Sequence, residues 1–277
     1  MTRYEALFQR LGNEGAFVPF VMLGDPTPED SLHIIRTLIQ AGADALELGV
    51  PFSDPVADGP TIQRSHLRAL DAGATVDSSL DLIAQIREEF PEVPIGLLIY
   101  GNVPFTRGID RFYEEFAKAG ADSILIPDVP VREGQPFIAA AEQAGIDPIF
   151  IAPARASEAT LKGVAAHSKG YIYAISRDGV TGTERASETT GLQEVVENIE
   201  RFDGAPILLG FGISTPEHVA EAIAAGARGA ISGSAITSII ERHCEGEHPE
   251  PAKLRDPEAL GKELGEFVRG MKAATKQ

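Results

Sequence analysis

The stretch AGADALELGVP, Ala41 to Pro51, decides how the chain is read, because its shape recurs. AGADSILIPDVP runs from Ala119 to Pro130, AGIDPIFIAP from Ala144 to Pro153 and AGARGAISGSA from Ala225 to Ala235. Each phrase sets Ala-Gly at the end of an amphipathic segment. Gly42, Gly120, Gly145 and Gly226 suit the left-handed residue that ends a helix, and the apolar run that follows suits a buried strand. Four more apolar runs fill the gaps: Ala16–Met22, Val93–Tyr100, Gly170–Ile175 and Ala205–Gly210. Between them lie helical patterns such as PEDSLHIIRTLIQ, SSLDLIAQIREEF, IDRFYEEFAKA and TPEHVAEAIAA. Strands alternating with helices imply parallel pairing through crossovers. Eight units of roughly 29 residues each match an α/β fold of the (β/α)8 barrel type, a TIM barrel, with additional terminal helices. The competing open, doubly wound sheet usually carries G-x-G-x-x-G after its first strand. Here that turn reads LGDPTPED. No linker interrupts residues 1–277, so a single domain is expected.

Composition narrows the function classes. The chain has 277 residues, 43% of them hydrophobic, and Asp plus Glu outnumber Lys plus Arg by 41 to 24, a net charge of -17. Binders of nucleic acid or anionic membranes need a basic face, so neither partner is expected. One cysteine, Cys244, precludes an intrachain disulfide and a cysteine zinc cluster. The N-terminal MTRYEALFQRLGNEG reads as an amphipathic helix without the apolar core of a signal peptide. No stretch approaches the roughly 18 apolar residues of a membrane span. A cytoplasmic enzyme fits these features. The segment Cys244–Glu258 reads as a polar, exposed connection to a last helix, ALGKELGEFVRGMKAA.

In a barrel of this kind the chemistry sits where strands end. In ADALELGV, alternation puts Ala45, Glu47 and Gly49 on the interior face and Leu46, Leu48 and Val50 toward the helices. A carboxyl at Glu47 would be desolvated and its pKa raised, which suits a general acid/base near neutrality; a structural glutamate satisfied by a nearby donor is the plainer reading. The following loop, PFSDPVADGP, holds Asp54 and Asp58 among prolines. Asp25 and Asp128 also follow strands and read as turn or cap side chains.

Glycine-bearing turns follow the last three strands, at Gly182, Gly212 and Gly233-Ser234. Glycine lets backbone N–H groups approach an anion, and a helix start adds a favourable dipole. Three such turns on adjacent strands point to a phosphorylated ligand. The long polar segment Ser176–Thr190 suits a lid. No histidine falls where a strand ends, so no metal site is expected. Lys169 precedes its strand, which leaves a Schiff-base aldolase without a nucleophile. Carboxylate chemistry on a phosphorylated small molecule remains.

The motifs LELGVPFSDPVADGPTIQ (46–63), LLIYGNVPF (97–105), LIPDVPV (125–131), YAISRDGVTG (173–182), GFGIS (210–214) and SGSAI (232–236) closely resemble the tryptophan synthase alpha chain family, in order along the chain. The resemblance implies a lyase that splits indole-3-glycerol phosphate into indole and glyceraldehyde 3-phosphate by retro-aldol cleavage, as the alpha subunit of the synthase that performs the last step of tryptophan biosynthesis. It further implies that Glu47 shuttles protons and that ionised Asp58 accepts the indole N–H. The indole would lie among Phe20, Leu98, Tyr100, Leu125 and Ile151, with Tyr173 and Thr181 near the carboxylates. The phosphate would rest on amides of Gly182, Phe211, Gly212, Gly233 and Ser234. No cofactor is implied on this chain; a beta chain carrying pyridoxal phosphate is the implied partner, two alpha with two beta, and Asp54 and Arg177 would couple the two chains. Pro127 stands where the family commonly has alanine. Two rivals remain: an isomerase of a phosphorylated sugar, and a non-catalytic barrel that activates a partner chain.

Overall fold

The computed structural model describes residues 1–175, 191–246 and 248–276. Its main sheet contains nine parallel strand segments: β1 Ala16–Met22, β2 Leu46–Gly49, β3 Ile95–Leu98, β4 Ser123–Leu125, β5 Asp147–Ile149, β6 Ile151–Pro153, β7 Ile172–Ile175, β8 Ile207–Gly210 and β9 Gly229–Ser232. They neighbour one another in the order β5-β4-β3-β2-β1-β9-β8-β7-β6. β5 and β6 are consecutive in the chain, separated by Phe150 alone, so residues 147–153 pair with β4 on one side and β7 on the other. Counted as one strand, they make the eighth and bring the sheet round into a barrel. The Phe150 carbonyl accepts from the amide of Tyr173 at 3.2 Å, which carries the pairing across the break.

The repeat has a physical basis. The four glycines adopt φ of 112°, 107°, 74° and 97°, the left-handed turn that reverses the chain from helix to strand. In the first two copies the following aspartate secures the neighbouring strand. Asp44 accepts from the amide of Phe17 at 2.9 Å, and Asp122 from that of Ile95 at 2.7 Å. Both carboxylates also meet cations, Asp44 with Lys272 at 2.8 Å and Asp122 with Arg87 at 2.6 Å. Helices begin on side-chain caps: Thr27, Thr75, Thr215 and Asp256 each accept from a first-turn amide.

Alternation sorts the core into two clusters. Phe17, Val21, Leu46, Leu48 and Val50 belong to the cluster packed between barrel and helices, with Ile34, Ile35 and Leu38. Val18, Phe20, Met22, Ala45, Tyr173, Leu208 and Ile231 fill the barrel interior. The helix Arg3–Leu11 adds Tyr4, Leu7 and Leu11 to this inner cluster. Tyr4 shares a 2.8 Å hydrogen bond with Ser123 at the start of β4, so the helix plugs the barrel at the end away from the strand C-termini. Gly96 makes room for it: a Cβ there would lie 2.8 Å from Ser123 Oγ and 2.9 Å from the Tyr4 hydroxyl.

The segment after Cys244 is more ordered than a plain connection. Cys244–Glu245 (β10) and Lys253–Leu254 (β11) form an antiparallel ribbon, closed by the Arg255 amide donating to His243 at 2.9 Å. The last helix, Pro257–Ala273, packs its buried face, Leu260, Leu264, Val268 and Met271, against the barrel's outer layer. Among the described residues no helix is long and apolar enough to cross a membrane.

Candidate active site

Where β2 ends, the small-residue face of the strand turns Glu47 into the barrel, and the side chain is 1% exposed. Burial pushes its pKa from 4.5 to about 8. The hydroxyl of Tyr171, which donates to Oε1 at 3.0 Å, opposes this, and the nearby charge of Asp58 reinforces it. A carboxyl held in this range keeps its proton near neutrality and can release it on demand.

Asp58 closes the loop after β2, immediately before Gly59, the N-cap of the helix Pro60–Asp71. It is 5% exposed. Its Oδ2 accepts from the hydroxyl of Tyr100 at 2.7 Å and lies 3.3 Å from Nε2 of His66. The Tyr100 hydroxyl in turn accepts from the amide of Ala57 at 3.0 Å, and its ring stacks with Phe52 at 5.4 Å. Burial and the adjacent Asp58 raise the Tyr100 pKa, so this hydroxyl remains a donor. The loop tip points outward, with Asp54 exposed and Val56 74% exposed.

Glu47 and Asp58 share a cleft of about 440 Å³, its open mouth included. Phe20, Ile62, Leu98, Tyr173 and Ile231 form its apolar walls; Phe211, Gly212, Gly233 and Ser234, from the turns after β8 and β9, also line it. Phe211 and Gly212 are successive left-handed residues, φ 68° and 73°. Such a conformation is uncommon for a non-glycine residue and marks a site that the surroundings hold in shape. Ser232 braces these turns by donating to the carbonyl of Ile213 at 2.7 Å. The helix Ser234–Arg242 starts from Gly233, and its first amides lack intrahelical acceptors. Among the described residues, none that lines the cleft is Lys or Arg. A larger cavity, lined by Leu125, Pro127 and Ile151, adjoins it and shares Asp58, Leu98, Tyr173 and Phe211.

The structure thus brings most of the sequence-derived site together. Tyr100, expected beside the indole, is not among the described residues that line the cleft; its hydroxyl faces Asp58. Asp25 also differs from expectation. Its amide closes the turn after β1 by donating to the carbonyl of Met22 at 3.3 Å, but its side chain caps no helix: it is 2% exposed and held by Arg68 at 2.7 and 2.8 Å. Burial raises its pKa, and the paired guanidinium opposes that. Arg177, Thr181 and Gly182 lie outside the described residues. Sequence reasoning missed Tyr171 and His66. Tyr171 had a signal, since it stands two residues before Tyr173 on one strand face. His66 had none, being one histidine on a helix face with Ile62, Ser65 and Ala69. Among the described residues no group of three or more His, Cys, Asp or Glu could hold a metal.

Comparison with known proteins decides the family. Residues 8–275 match the tryptophan synthase alpha chain family. The chain belongs to that family. It is 78% identical over 278 residues to the tryptophan synthase alpha chain of Corynebacterium diphtheriae and 57% identical to that of Vibrio cholerae, with both chains of each pair fully covered. Among solved structures it resembles the tryptophan synthase alpha subunit of Legionella pneumophila, at 30% identity and a TM-score of 0.84, covering 99% of this chain and 98% of that one. It also resembles Mycobacterium tuberculosis tryptophan synthase, at 27% identity and 0.85, covering 100% and 99%. As a tryptophan synthase alpha chain it is a lyase of tryptophan biosynthesis that cleaves indole-3-glycerol phosphate, on a TIM barrel. Its structural neighbours include a tryptophan synthase complex from Pyrococcus furiosus, at 28% identity and a TM-score of 0.78, covering 94% of this chain and 98% of that one. That likeness is consistent with a beta-chain partner.

Proposed function

We propose that Glu47 and Asp58 carry the cleavage and that the two glycine turns hold the phosphate. One observation supports this most: a single cleft is lined by both carboxyls and by the Phe211-Gly212 and Gly233-Ser234 turns. Indole-3-glycerol phosphate has the matching polarity, with the reacting carbons between an aromatic ring and a phosphate. The apolar wall of Phe20 and Leu98, extended by Leu125 and Ile151 in the adjoining cavity, suits the ring. Asp58, fixed by Tyr100, accepts the indole N–H and stabilises the positive charge that the ring gains when its carbon 3 is protonated. Glu47 delivers that proton. The resulting carboxylate takes the proton of the neighbouring glycerol hydroxyl. As that oxygen becomes a carbonyl, the carbon–carbon bond breaks and its electron pair returns to the ring. Indole and glyceraldehyde 3-phosphate leave, and Glu47 is again protonated. The two carboxyls divide the work because one is desolvated and the other is held by hydrogen-bond donors.

Backbone amides and a helix start supply the phosphate contacts, with Gly182 as a further candidate and Thr181 near the carboxylates. An acidic protein can hold an anion this way without lysine or arginine. In this reading the whole chain works as one cytoplasmic domain in a complex of two alpha and two beta chains. The pyridoxal phosphate belongs to the beta partner, and Asp54 and Arg177 lie on the segments that couple the two.

The test is release of indole from indole-3-glycerol phosphate by the purified chain, with and without a beta chain. Glu47→Gln should bind substrate but release indole at least about 100-fold more slowly. Undiminished release would remove Glu47 from the mechanism.

A further inference from the structure

His66 is 2% exposed and sits on the inner face of the helix Pro60–Asp71, against both ends of the loop that carries Asp58. Its Nδ1 accepts from the amide of Phe52 at 3.0 Å, and its Nε2 lies 3.3 Å from Asp58 Oδ2. A backbone amide can only donate, so Nδ1 carries no hydrogen. The neutral ring therefore bears its proton on Nε2 and donates it to the carboxylate. One imidazole thus ties the start of the loop to its end. The Tyr100 hydroxyl reaches the same oxygen at 2.7 Å, and the His66 and Tyr100 rings meet edge-on at 6.2 Å. Two donors arriving at one oxygen from two elements fix the rotation of the carboxylate as well as its place.

From this geometry we propose that His66 is a positioning residue for Asp58. It aims the carboxylate at the indole N–H and holds the loop that delivers it, while touching no substrate itself. The proposal rests on the reading of Asp58 given above. It goes beyond that reading in making rotational control of the carboxylate, set from the helix behind it, part of the rate. Misplacing a reacting group by about 1 Å can cost on the order of 100-fold. The glycine turns assigned to the phosphate follow other strands and are not touched by this helix residue. Loss of His66 should therefore slow turnover and leave binding alone.

The experiment compares His66→Leu, which keeps bulk and removes both hydrogen bonds, with His66→Gln, whose amide nitrogen can stand near the place of Nε2 and donate to Asp58. In His66→Leu, kcat for indole release should fall roughly 10- to 100-fold with KM within about threefold. His66→Gln should restore kcat to within about fivefold of the native chain. Packing alone would not distinguish the two variants. Retained kcat in His66→Leu, or an equal fall in both, overturns the proposal. Nitrogen-15 NMR of the histidine-labelled native chain should show His66 as the Nε2–H tautomer. The Nδ1–H tautomer there overturns the proposal whether or not the variants fold. Asp58→Asn, run in parallel, separates this from the underlying reading. Activity retained in Asp58→Asn removes the role of Asp58 and the proposal with it. Activity lost there but retained in His66→Leu removes the proposal alone.

Discussion

Glu47→Gln should change stability as well as activity, in a way that only a raised pKa explains. In the folded chain Glu47 binds its proton up to a pKa of about 8, against an ordinary value of 4.5. Between those values the folded state holds a proton that the unfolded chain has lost. Stability therefore falls as pH rises from about 4.5 and levels off above about 8. A tenfold change in proton affinity corresponds to about 1.4 kcal/mol, so the full cost of burying the carboxylate is about 5 kcal/mol. About 1.4 kcal/mol of it is felt near pH 5.5 and about 4.6 kcal/mol near pH 8.5. Glutamine mimics the protonated acid at every pH, and its amide oxygen can still accept from Tyr171. Any cost of placing the amide NH2 is independent of pH and cancels from the comparison. The stability of Glu47→Gln relative to the native chain should thus improve by about 3 kcal/mol from about pH 5.5 to 8.5. Urea unfolding of both chains at the two pH values measures it. A stability of Glu47→Gln relative to the native chain that stays constant, or worsens, as pH rises would refute the buried, proton-holding glutamate and the acid role built on it.

Gly212→Asp should raise KM for indole-3-glycerol phosphate by about tenfold or more. It places a carboxylate beside the amides assigned to the phosphate and forces a side chain onto φ 73°; steady-state kinetics with an unchanged KM would move the phosphate elsewhere. Arg68→Ala leaves Asp25 buried without its bidentate partner and should cost about 3–5 kcal/mol at neutral pH in urea unfolding. A loss below about 1 kcal/mol would show that the pair contributes little.

Much of the fold was legible because its signals are local. Ala-Gly before an apolar run marks a helix end and a strand in the chain itself, and the two-residue period of ALELG already separates Glu47 from Leu46 and Leu48. Glycine turns can be counted without coordinates. The break at Phe150 was less legible, because residues 144–153 read as one apolar run and only the neighbours on either side show where pairing lapses. The partners of Asp25 and Tyr100 were not legible for a related reason. Arg68 and Asp58 lie 43 and 42 residues away, and nothing in the spacing announces them. The ribbon after Cys244 escaped because two-residue strands carry no period.

The sequence by itself determined the alternation of strand and helix, the face on which Glu47 lies and the family to which the motifs belong. All of these follow from periodicity and from residues that are neighbours in the chain. Only the tertiary structure decided which groups meet the two carboxyls. Tyr171 reaches Glu47 across 124 residues of sequence, and the proton of His66 is assigned by an amide that a loop happens to bring to its other nitrogen. Hydrogen bonds and desolvation act over a few ångströms in space. The barrel, which brings distant strand ends into one cleft, sets those distances.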